Sequence, residues 1–92
     1  MTTVAITLLG REGCHLCDVA QENVAGLIRE FDNVTLEKKM VDEHASWLEL
    51  YSDKVPVILV DGVEHGYWHI DVTALRAAIG EAGGLLATSD SE

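Results

Sequence analysis

An α/β domain with one four-stranded mixed sheet, in the order β-α-β-α-β-β-α, is what the sequence predicts. Three features carry that reading. An apolar, β-branched run at residues 4–9 passes through a glycine turn into an apolar repeat at steps of three and four. Asp61-Gly62, set between two apolar stretches, is a hairpin signal. A second helical repeat opens at Asp71 and stops at Gly83-Gly84. The 92 residues, 48% apolar and 24% charged, suit one small domain rather than a disordered chain.

Each element follows from its own pattern. Val4, Ala5, Ile6, Thr7, Leu8 and Leu9 form a strand apolar on both faces, as in the middle of a sheet. Gly10 and Gly13 bracket the turn that follows. From His15 the stripe Leu16/Cys17, Ala20, Val24, Leu27/Ile28 and Phe31 predicts an amphipathic helix closed by Asp32-Asn33. Residues 34–40 alternate weakly, giving a second strand whose Glu37, Lys38 and Lys39 are read as a solvated face. Being joined to the first strand through a helix, this strand should lie parallel to it.

Asp42 is read as the N-cap of a short helix that buries Trp47, Leu48 and Tyr51. A third strand spans residues 55–60 and opens at the only proline, Pro56. From Val63 the chain should return antiparallel to it. The last helix, capped by Asp71, turns Val72, Leu75, Ala78/Ile79 and Ala82 inward. The domain is drawn as residues 1–86, with fraying from Leu85 and a tail at 87–92.

Charge excludes several functions. Six Lys and Arg face sixteen Asp and Glu, a net charge of −10, and the cations are scattered. Such a surface repels phosphate backbones and anionic membranes, so neither nucleic acid nor membrane is an expected partner. The uncharged stretch at residues 1–10 is about half of a membrane span. No export signal is visible, and a cytoplasmic monomer is the expectation.

Both cysteines sit in Cys14-His15-Leu16-Cys17. Thiols that close together staple little, because the loop they close is short. Chemistry is the better reading. At a strand-to-helix junction Cys14 meets the unsatisfied N–H groups and positive dipole end of the first turn, which favour thiolate. Cys17, one turn further in, is the resolving thiol. Two other readings stand beside this one: half of a zinc site, or two inert buried cysteines. Zinc would need two further ligands from His15, His44, His65 and His69, whose spacing does not suit it. No bound metal or tight cofactor is expected.

In order and spacing, these segments resemble the glutaredoxin-like branch of the thioredoxin superfamily over roughly residues 4–86. Arg11-Glu12-Gly13-Cys14-His15-Leu16-Cys17 resembles the glutaredoxin active-site segment. Val55-Pro56 resembles the dipeptide with a cis proline that begins the third strand. Asp61-Gly62 followed by Gly66 resembles the hairpin leading to a Gly-Gly pair, and Asp71 with Val72 and Leu75 resembles the acidic cap of the last helix.

The resemblance implies a thioredoxin-like fold, with the first and last helices on one face and the middle helix on the other. The 57–66 hairpin then forms one edge. It also implies site roles. Cys14 and Cys17 are catalytic, and a cis Val55–Pro56 bond lies against the Cys14 sulfur. The Val55 backbone pairs with a thiol peptide, Arg11 meets a carboxylate and Asp71 an amino group, and His15 and Gly66 share that substrate site. The usual Pro-Tyr between the cysteines is His15-Leu16 here, and the Gly-Gly is Gly66-Tyr67. The co-substrate therefore stays open between glutathione and another low-molecular-weight thiol.

Some residues keep two readings. His15 either shifts Cys14 toward thiolate or is an ordinary exposed histidine. Trp47 reads as core. Tyr67-Trp68 either stack on a substrate or cover the sheet edge or the core, and burial tendencies favour the second. The implied function is a thiol–disulfide oxidoreductase acting on protein or small-thiol mixed disulfides, re-reduced by an external thiol or a thiol–disulfide reductase. The alternative is a non-catalytic module that binds a peptide or a metal in the same cleft.

Overall fold

The sheet is built around β1 (Val4–Gly10), which pairs parallel with β2 (Val34–Met40) and antiparallel with β3 (Val57–Val60). β4 (Val63–Tyr67) adds antiparallel to β3, giving the order β2-β1-β3-β4. The structure is a computed structural model and describes residues 2–87. α1 (His15–Ile28) makes the crossover from β1 to β2 that parallel pairing requires. α2 (Ala45–Tyr51) follows β2, and α3 (Val72–Glu81) follows β4.

The apolar run of β1 divides between the two faces of the sheet. Val4, Ile6 and Leu8 join Ile58, the α1 residues Ala20, Val24 and Leu27, and the α3 residues Leu75 and Ile79 in the main core. Leu9 joins Val57 and Leu59 on the opposite face, where Trp47 and Tyr51 of α2 lie over them. α1 and α3 thus share one face and α2 takes the other, as expected. Each fully buried Leu or Ile contributes roughly 1.5–3 kcal/mol of apolar transfer energy.

Local chemistry accounts for the turns. Asp61 and Gly62 have φ of 51° and 84°, the left-handed pair of a two-residue hairpin turn. The Asp61 carboxylate also accepts the Ala5 N–H at 2.8 Å, tying the turn to β1. Asp71 caps α3 through its Oδ1, which accepts the Ala74 N–H at 3.1 Å. Tyr51 donates its hydroxyl to Glu64 Oε1 at 3.2 Å, a link between α2 and β4. Desolvation first, and then the Glu64 carboxylate, raise its phenol above the ordinary range.

Four expectations are corrected. α1 ends at Ile28, short of Phe31, which is buried beyond the helix and bridges to Leu86. Asp42 caps nothing, because a 3-10 turn (Val41–Glu43) intervenes and the Glu43 carboxylate takes the Met40 N–H at 2.7 Å. Leu48 is 46% exposed, since so short a helix turns only Trp47 and Tyr51 toward the sheet. Residues 85–87, placed in the tail from Leu85 onward, are hydrogen-bonded back to the domain. Asp32 donates its N–H to the Leu85 carbonyl and Ala87 donates to the Glu30 carbonyl, at 2.8 and 2.7 Å.

Asn33 explains that last difference. Its Nδ2 donates to the Thr2 and Gly83 carbonyls, and its Oδ1 accepts the Leu85 N–H. One side chain thereby joins the start of β1, the end of α3 and the returning tail. The remainder of the tail, 88–92, lies outside the described residues.

Candidate functional site

The site begins where β1 ends. A Cβ placed on Gly10 would stand 3.3 Å from the Cys17 Cβ, so glycine there lets the strand come close to the first turn of α1. Gly13, with φ of 76°, turns the chain into the helix. Cys14 is the N-cap of α1, with extended backbone, and its Sγ accepts the Cys17 N–H at 3.1 Å. A sulfur thus fills the position that Ser or Asp takes at an ordinary cap.

Cys14 and Cys17 are joined as a disulfide with Cα atoms 5.3 Å apart, within the usual range for such bonds. Their surroundings differ. Cys17 is 1% exposed and clusters with Val41 and Val55, while Cys14 is half-buried at the edge of that cluster. Cys14 is thus the more exposed residue and Cys17 is covered, the asymmetry expected of an attacking and a resolving thiol.

Val55 brings the second element to the pair. The Val55–Pro56 peptide is cis, as the resemblance implied, and Pro56 is fully buried. Among the described residues, neither the N–H nor the C=O of Val55 has a hydrogen-bond partner. Val55 therefore offers one backbone donor and one acceptor beside the disulfide.

The remaining expected residues are placed as follows. Arg11 is exposed and donates from Nη1 to the Ser52 carbonyl at 3.1 Å, at the C-terminal end of α2, where a cation is favoured. Arg11 also lines a small cavity with Glu12, Met40, Val41, Asp42 and Leu48. His15 is exposed in the first turn of α1. Gly66 pairs with Ile58 in β4. Asp71 is exposed, with one oxygen engaged in capping α3.

Trp68 is 56% exposed, so it is not a core residue, and it follows directly on the edge strand β4. Its φ is 63°, a region that large side chains seldom adopt. Its indole N–H donates to the Asp53 carbonyl at 2.9 Å, and its ring meets Tyr67 edge to face at 5.0 Å. With His69 and Ile70 it forms one wall of a groove whose other wall is Leu16, Val19 and Asn23 of α1.

Sequence reasoning missed Gly10 and the Asp53–Trp68 bond. Gly10 carried a signal, since a glycine closing a strand beside a cysteine motif marks close backbone approach. Nothing in the sequence marked Trp68 for a left-handed backbone. Among the described residues no three His, Cys, Asp or Glu side chains gather as a metal site, and no helix is long and apolar enough to cross a membrane.

Comparison with known proteins agrees with this geometry. A family model described as glutaredoxin-like domain (DUF836) matches residues 5–80. Uncharacterized proteins of Mycobacterium tuberculosis and Mycobacterium bovis are 38% identical over 86 residues, covering 86% of this chain and of each relative. The solution structure of a Nitrosomonas europaea protein superposes with TM-score 0.73 and 26% identity, covering 85% of this chain and 93% of that one. An X-ray structure of an X. campestris protein gives 0.65 and 33%, covering 84% and 97%. A mutant thioredoxin from Halobacterium salinarum also reaches 0.65, at 21% identity over 94% of this chain and 80% of that one, a likeness of fold alone.

Proposed function

This chain belongs to the glutaredoxin-like domain family and has the thioredoxin-like fold with a Cys-x-x-Cys pair, and from that premise we propose that it is a thiol–disulfide oxidoreductase. The observation that carries the reading is the pair itself. One cysteine caps α1 and is the more exposed, and the other is covered one turn inside. In the reduced protein the Cys17 N–H and the positive end of α1 favour the Cys14 thiolate. Cys14 attacks one sulfur of a substrate disulfide, forming a mixed disulfide and expelling the other sulfur as thiolate, which takes up a proton. Cys17, losing its proton to solvent, then attacks the Cys14 sulfur and releases the second substrate thiol.

Two electrons and two protons pass to the substrate, and the Cys14–Cys17 disulfide remains. An external low-molecular-weight thiol, glutathione or another, or a thiol–disulfide reductase returns the pair to the dithiol. The disulfide-bearing partner is a protein or a small mixed disulfide. It docks on the free backbone groups of Val55, beside Pro56, with His15 and Gly66 bordering the site. Arg11 and Asp71 keep donors and an acceptor beyond those used for Ser52 and Ala74, and these take a ligand carboxylate and amino group.

The test is turnover of a peptide disulfide, with glutathione, a second small thiol and a thioredoxin-type reductase supplied in turn. Catalysed reduction with at least one donor is expected. Absence of turnover with every donor, and no gain of two hydrogens on treatment with mild thiol, would leave a non-catalytic binding module as the better account.

A further inference from the structure

We propose that Trp68 is the positioning residue for the docking edge at Val55, and that it makes the site favour disulfides carried on a peptide backbone over small disulfides without one. The inference rests on the oxidoreductase reading above.

The bonds around Val55 converge on one residue. The Trp68 main-chain N–H donates to the Pro56 carbonyl at 2.9 Å and to the Lys54 carbonyl at 3.3 Å. Its indole N–H donates to the Asp53 carbonyl at 2.9 Å. The Lys54 N–H is already given to the Tyr51 carbonyl, and Pro56 has no N–H. Every other hydrogen-bonding carbonyl of residues 53–56 is thus engaged by Trp68. Within this segment, and among the described residues, Val55 has neither its carbonyl nor its N–H partnered, and besides these two groups the Asp53 N–H is also without a partner.

Such an arrangement presents an incoming extended peptide with one donor and one acceptor in fixed register, beside Cys14. The backbone of Trp68 points the same way. At φ of 63° a glycine would sit without strain, so the position is not occupied by tryptophan for the sake of the turn. What tryptophan adds is the indole N–H that holds Asp53. A small disulfide with no peptide groups makes no use of the Val55 edge, and so gains nothing from this clamp.

The experiment compares two substrates, a cysteine-containing peptide disulfide and hydroxyethyl disulfide, in the wild type and in Trp68→Phe. Phenylalanine keeps an aromatic wall and the main-chain N–H but removes the indole donor. The expected result is a rise of about three- to tenfold in KM for the peptide disulfide, the scale of one hydrogen bond, with kcat unchanged. Turnover of hydroxyethyl disulfide and the alkylation rate of reduced Cys14 should match the wild type.

Equal losses on both substrates would overturn the inference in favour of a general structural role, and no change on either would overturn it as well. A wild type that reduces hydroxyethyl disulfide but not the peptide overturns the inference alone. A wild type that reduces neither overturns the oxidoreductase reading together with it. Should Trp68→Phe not fold, hydrogen exchange of the wild-type indole N–H decides. Slow exchange supports the clamp, and exchange at the rate of free tryptophan contradicts it.

Discussion

The two faces of the sheet are built to different depths. On one, α1 and α3 enclose a core of buried residues that runs from Val4 on β1 to Ile79 on α3. On the other, α2 contributes no buried residue of its own, and Trp47 and Tyr51 lie half-buried over Leu9, Val57 and Leu59. The redox pair belongs to the thinner side. Cys17 stands on α1, yet it packs with Val41 and Val55 rather than with the main core. The difference teaches that stability and chemistry are separated along one helix. The later turns of α1 hold the fold, and its first turn presents the sulfurs.

Substitutions on the two faces measure that separation. Leu75 is fully buried in the main core, so Leu75→Ala should destabilise by about 3 kcal/mol in denaturant unfolding. It should leave the alkylation of reduced Cys14 unchanged. Val41→Ala, in the small cluster around Cys17, should cost about 2 kcal/mol and also increase the accessibility of Cys17 to alkylating reagent. If Leu75→Ala perturbs the cysteines more than Val41→Ala does, the separation fails.

Two smaller effects sharpen the comparison. Asp71→Ala removes the α3 cap and should cost about 1 kcal/mol, read from the same unfolding midpoint. Glu30→Gln should have the least effect, because its pair with Arg76 is exposed. The hydrogen bond from Arg76 holds the Glu30 carboxyl below its usual range, so any stability it contributes is present above the ordinary glutamate pKa. That contribution disappears as pH falls through the lowered value. Wild type and Glu30→Gln should therefore differ slightly near neutral pH and converge in acid.

The well-packed face was the more legible in the sequence, for a physical reason. Burial on that face leaves periodic apolar residues, and Val24, Leu27, Leu75 and Ile79 announced it through their spacing alone. Asp61-Gly62 and Asp71 were equally plain, because the left-handed turn and the helix cap each demand particular residue types. The thin face left weaker marks. Leu48 looked like core because a seven-residue helix is too short for its period to separate one face from another. Asp42 looked like a cap because the intervening 3-10 turn uses the same acidic residues.

In the site, the positions of the cysteines at the start of α1 were readable from local helix physics, whereas the partners of Arg11 and Trp68 were not. Both bond to main-chain carbonyls, of Ser52 and of Asp53, Lys54 and Pro56, that lie far away in sequence. A carbonyl acceptor leaves no trace in residue type. The role of Asn33 was hidden in the same way, since two of its partners are carbonyls and the third is an N–H.

In the proposed reaction Cys14 attacks and Cys17 resolves. That assignment is tested most directly by the rate of alkylation against pH for the reduced single variants. The thiol of Cys14 in Cys17→Ser should react faster at neutral pH, with its rate levelling off below the range of an ordinary thiol. The thiol of Cys17 in Cys14→Ser should react slowly, because it is covered by Val41 and Val55. A Cys17 that reacts faster at neutral pH than Cys14 would contradict the account.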